Sequence, residues 1–201
     1  SAKSYFQKAI DISPRNISAR YLLAKILIKE DDLARALEIC SEGVILKDDE
    51  VLLNRLLLEI MHKLGAKEEN IIDQYNRYLK TVQHDYFMKL CYGAYLYILE
   101  DDFCSDIFSE LRINSFLSNS EKHRLQANVD NHINIHNFVE NLFVKIETPR
   151  GYLLQTERFS SRTLAFCNQK YIIDKVSIGS RIQCSTGFCY MGPLVYKAKV
   201  V

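Results

Sequence analysis

The sequence predicts an α+β protein built as two domains, an N-terminal all-α helical-repeat solenoid over residues 1–138 and a C-terminal five-stranded β-barrel over residues 142–201. Three observations predict it. Small and apolar positions recur at an offset of 34 residues near the start of the chain. The apolar spacing turns from helical to alternating near Phe143. Charge divides at the same place: residues 143–201 hold nine Lys or Arg against three acids, a net of +6, and the remainder holds 17 against 22, a net of −5.

The offset places Ala2 on Ala36, Phe6 on Cys40, Ala9 on Gly43, Ile10 on Val44 and Ile12 on Leu46. Small residues at recurring positions are what two closely crossing helices require. Periodicity predicts helices over 2–12, 17–30, 32–46, 49–64, 68–82, 84–99, 101–113 and 118 to about 135. Asp48 or Asp49 is the expected cap of the fourth, and Ser118 or Ser120 of the last, because their side-chain oxygens can accept from the open amides of a first turn. The Asn- and Ser-rich stretches 114–118 and 131–141 are the expected joints.

The N-terminal segment resembles the tetratricopeptide repeat, whose second helix carries small, aromatic and small residues and a closing proline: Ala2, Phe6, Ala9 and Pro14. The next repeat keeps Leu23, Ala24, Leu27 and Ala36, with Cys40 in place of the aromatic and Asp48 in place of the proline. The two following helical pairs keep the period without the small-residue signature. The resemblance implies a groove for a protein or peptide partner. It also places residue 2 on the second helix of a repeat, which leads to the expectation that the natural chain begins earlier.

From Phe143 on, Gly151, Gly179, Gly187 and Gly192-Pro193 punctuate short β-rich runs, and strands are expected at 141–147, 151–157, 163–168, 181–187 and 194–200. In layout this half resembles the cold-shock domain, an oligonucleotide-binding (OB-fold) barrel. Arg150-Gly151-Tyr152-Leu153-Leu154 corresponds to the family's first ribonucleoprotein motif and Ala165-Phe166-Cys167-Asn168-Gln169 to its second. Gly179, the alternating Ile182 and Cys184, Gly192-Pro193 and the run from Val195 to Val201 follow in the same order. The resemblance implies single-stranded RNA or DNA held by stacking aromatics and rim cations. The candidate contact residues are Arg150, Tyr152, Arg158, Arg162, Phe166 and Lys170. Leu154, Asn168 and Gln169 stand where the family has an aromatic, a histidine and another aromatic, which implies weak binding or a changed task. An aromatic on a short strand can equally be core, and the bases can equally solvate the barrel or dock it on helices.

Little else in the chain points to chemistry. No phosphate loop, dinucleotide fingerprint or nucleophile elbow occurs, so no enzymatic activity and no cofactor are expected. His132 and His136, four apart and near Asp130, could share a face, yet no third metal ligand is evident. Six cysteines without close pairing suit buried thiols in a reducing cytoplasm, and no apolar run is long enough for a membrane span. The expectation is a cytoplasmic, non-enzymatic adaptor that binds a protein or peptide on the helical groove and, weakly, a single strand on the barrel. Two rivals stand beside it: a pure protein-interaction scaffold in which the barrel only caps the solenoid, and a C-terminal sensor fragment of a larger signalling or defence protein.

Overall fold

A computed structural model describes residues 2–113, 117–135, 138–159, 162–172 and 176–201. Helices come first and a closed five-stranded barrel follows, the α+β two-part layout expected from the sequence. Contacts divide the chain into two compact units, Ser1–Met88 and Lys89–Val201.

The first unit is a run of helices, each packed on the next: α1 (Ala2–Ile12), α2 (Ile17–Lys29), α3 (Leu33–Leu46), α4 (Val51–Lys63) and α5 (Glu68–Thr81), ending in the first turn of α6 (Tyr86–Ile98). Asn16 caps α2 by accepting from the Ala19 amide at 3.0 Å, and Asp32 caps α3 by accepting from Arg35 at 3.3 Å. No side chain of Asp48 or Asp49 caps α4, whose N-cap is Glu50. Asn54 instead donates to the Asp48 and Glu50 carbonyls, each at 2.9 Å.

Leu23, Ala24, Leu27, Ala36, Cys40, Leu53 and Ile60 are fully buried together. Gly43 accounts for one of the recurring small positions, since a Cβ there would lie 2.7 Å from Leu53 Cδ1. Polar staples fasten α4 to α5 and to the turn that precedes α6. Asp85 accepts two bonds from Arg55 at 2.8 and 2.6 Å and one from Tyr78 at 2.6 Å, Gln74 donates to Asn54 at 2.9 Å, and His62 pairs with Tyr75 at 3.1 Å.

The second unit contains the rest of α6, then α7 (Cys104–Ile113), α8 (Asn119–His123), α9 (Ala127–His132) and the strands β1 (Val139–Thr148), β2 (Gly151–Thr156), β3 (Ala165–Asn168), β4 (Arg181–Cys189) and β5 (Gly192–Val200). The strands close in the order β1-β2-β3-β5-β4, antiparallel except for the parallel β3/β5 pair. Leu142, Val144, Leu154, Cys167, Ile182, Cys184 and Val195 fill the interior.

The single helix expected from 118 to about 135 is two short ones. Between them the chain turns to β4: the Gln126 amide donates to the Phe188 carbonyl at 3.0 Å, and Leu125 occupies the space that a side chain at Gly187 would need. Ser118 does cap α8, in a reciprocal capping box with Glu121.

Aromatic packing joins helix to barrel within this unit. Tyr97 meets Phe138, Phe159 and Phe188 edge-on, and Phe108 stacks on Phe188. The Tyr97 hydroxyl also donates to the buried carboxylate of Glu140, at 3.1 and 3.2 Å to its two oxygens.

Candidate ligand groove of the barrel

A groove of about 1080 Å³ opens on the outer side of β2 and β3. Strand alternation decides what reaches it. On β3, Ala165 and Cys167 turn inward while Phe166 and Asn168 turn outward into the groove. On β2, Leu153 lines the groove, and Tyr152 packs into the barrel core with 8% exposure. Tyr152 therefore lies on the interior face and Leu153 on the groove face, because adjacent side chains of a strand point to opposite faces.

The turn between β1 and β2 presents Arg150 at the rim. Gly151 makes that turn possible: its φ is +152°, and a Cβ would lie 2.0 Å from the Cys167 carbonyl oxygen, so only glycine lets the two strands approach. After β3, the Asn168 side chain accepts from the Lys170 amide at 3.1 Å and starts a short 3₁₀ turn, Gln169–Tyr171. That turn sets the Lys170 ammonium 4.7 Å from the centre of the Tyr171 ring, and both side chains line the groove.

Helices supply the opposite wall. Arg112 lies in the last turn of α7 and His123 ends α8. Lys122 holds them in place: its ammonium donates to the Arg112 carbonyl at 2.9 Å and its carbonyl accepts from the Met191 amide at 3.1 Å. Arg112, His123 and Tyr171 were not candidates from the sequence. They lie in different elements, and only the fold brings them to one groove. Among the described residues lining the groove, none is Asp or Glu.

The six candidates thus divide. Arg150, Arg162, Phe166 and Lys170 line one groove. Tyr152 is core, and Arg158 works elsewhere: its guanidinium donates to Glu100 at 3.1 Å and to the Ile98 carbonyl, and lies 5.0 Å from the centre of the Phe138 ring. Arg162 reaches the groove wall while bonded to Asp102 and Asp106.

These pairings revise the charge asymmetry. Divided at the observed boundary, residues 1–88 carry 13 Lys or Arg against 14 acids and residues 89–201 carry 13 against 11, nets of −1 and +2. The acids that balance the barrel belong to its own unit and partly sit on its arginines.

Burial pushes the Cys40, Cys167 and Cys184 thiols up to about 12, and all six cysteines are buried, which makes them poor nucleophiles. No group of three or more His, Cys, Asp or Glu is placed to hold a metal among the described residues. His132 is buried, and the pairing considered for it with His136 lies outside the described residues. Among the described residues no helix is long and apolar enough to cross a membrane.

Fold and groove together define a helical array followed by a closed barrel with a cationic cleft. The family model of the tetratricopeptide repeat matches residues 1–60, and the barrel lies outside the matched residues. No curated protein matches the chain.

Proposed function

We propose that the chain is a non-enzymatic adaptor that binds a protein or peptide partner through its helical repeats and, weakly, single-stranded nucleic acid in the barrel groove. For the repeats, the support is the family match over residues 1–60 together with the continuous stacking of α1 to α4. For the groove, the observation that carries the reading is a cleft with cationic side chains, no carboxylate among its described lining residues, and an outward aromatic, Phe166, on β3. The strand order and parallel β3/β5 pair suit the resemblance to an oligonucleotide-binding barrel, in which the β2–β3 face and the turns after β1 and β4 hold the ligand. With Tyr152 inside the barrel, stacking falls to Phe166 and Tyr171. At roughly 1–3 kcal/mol per stacked base, that suits weak affinity.

The test is an anisotropy titration of a labelled single strand at low and moderate salt. Binding at low salt that weakens steeply with salt and is lost in Phe166→Ala combined with Arg150→Ala and Lys170→Ala supports the groove; absence of binding at low salt removes it. A second reading, a protein-interaction scaffold in which the barrel braces the helices, is favoured by one specific observation: Arg158 and Arg162 are spent on Glu100, Asp102 and Asp106. It predicts unchanged peptide selection on the repeats and no response to any single strand.

A further inference from the structure

We propose that Asp102 and Asp106 form an internal acidic latch on Arg162 that withholds this cation from the groove and lowers its affinity for polyanions. The inference rests on the reading of the groove as a nucleic-acid site. Arg162 is held at three points. Its backbone amide donates to Asp102 Oδ1 at 3.1 Å, its Nε to Asp102 Oδ2 at 3.1 Å, and its Nη2 to Asp106 Oδ2 at 3.0 Å. Ser105 donates to Asp102 Oδ1 at 2.9 Å and steadies that carboxylate beside the first turn of α7.

Two carboxylates on one guanidinium leave a local net charge of −1 at the edge of a cleft that otherwise attracts anions. Arg150 and Lys170 differ: among the described residues neither is ion-paired, so both are available to a phosphate. The latch is also exchangeable. The side chains of Arg162, Asp102 and Asp106 keep 63%, 43% and 55% of their exposure, so water and salt already compete for the contact and a phosphate can do so as well. The two acids thus occupy, with one oxygen each, the Nε and Nη2 donors that a phosphate would otherwise take.

The experiment compares the full chain with D102N/D106N and with D102N/D106N/R162A, using a fluorescein-labelled oligothymidylate over a series of salt concentrations. Asparagine keeps the acceptor for the Arg162 amide and removes the charge. The double variant is expected to bind several-fold more tightly, with a logarithmic salt slope steeper by about 0.7, the contribution of one added phosphate contact on a single strand. Adding Arg162→Ala is expected to abolish both gains. Binding by the double variant at a salt concentration where the unaltered chain, which binds at low salt, no longer does so also supports the latch.

Equal binding by the unaltered chain and the double variant overturns the latch and leaves the groove intact. Absence of binding in both overturns latch and groove together. A gain that survives Arg162→Ala overturns the latch by assigning the effect to general charge. If the double variant melts below the unaltered chain, D106N alone, which leaves Asp102 in place, is expected to give part of the gain, and no gain there overturns the proposal.

Discussion

Glu140 and Asp85 are buried carboxylates with opposite consequences for stability. Burial is the largest influence on Glu140 and raises its carboxyl above the usual range, against hydrogen bonds from Thr186, Tyr97 and Thr156 and the nearby charge of Arg158. A raised folded-state value means the proton is held more tightly in the fold. The stability this contributes is full below the unfolded value of about 4.3 and is lost as pH rises through the folded value. Glu140→Gln should therefore flatten the fall in denaturation midpoint between acid and neutral pH; an unchanged pH profile would refute the assignment. For Asp85, burial again pushes upward, but the Arg55 guanidinium, Tyr78 hydroxyl and Met88 amide outweigh it and lower the carboxyl. Its contribution is present above about 3.9 and is lost as pH falls through the folded value. Asp85→Ala should cost about 2–4 kcal/mol at neutral pH, since it strands Arg55 and Tyr78, and urea denaturation measures it. Tyr152 and Phe166 make a third contrast. Tyr152→Ala removes core and should cost about 3–5 kcal/mol of stability, whereas Phe166→Ala should leave the midpoint close to that of the unaltered chain and act on binding.

At the scale of elements, close approach is what the small residues provide. Gly43 lets α3 reach Leu53 on α4, so Gly43→Leu should destabilise by about 1–3 kcal/mol through overpacking, visible as a lower thermal midpoint. The recurrence of Ala9 and Gly43 at one offset made this legible in the sequence, because a crossing constraint repeats whenever the helical pair repeats. Strand parity was legible only in part. Both Tyr152 and Phe166 stand in aromatic-bearing β runs, and spacing alone cannot say which face is the interior; closure of the barrel, with Leu154 and Cys167 inside, settles it. The break between α8 and α9 had no linear signal either. Residues 124–126 leave the helical path because the Phe188 carbonyl and the gap above Gly187 offer them partners about sixty positions away.

For the whole molecule, the unit Lys89–Val201 includes helices that the barrel's own residues use. Phe188 packs on Tyr97 and Phe108, Arg158 and Arg162 pair with Glu100, Asp102 and Asp106, and Glu140 takes the Tyr97 hydroxyl. A fragment of residues 142–201 should therefore fold poorly, while 89–201 should give a cooperative transition; dispersed amide spectra of both fragments check this, and a well-folded 142–201 would contradict it. The order of amino acids is enough to set the class of each half, the 34-residue recurrence and the succession of strands, because helix and strand periods and glycine turns are local properties of the chain. The disposition of charge is set by folding. The net of +6 assigned to residues 143–201 is partly neutralised by acids on α7 and the turn before it, and the groove draws Arg112 and His123 from helices and Arg150, Phe166 and Lys170 from the barrel. Pairing and enclosure depend on distances between residues far apart in sequence, and folding alone brings them together.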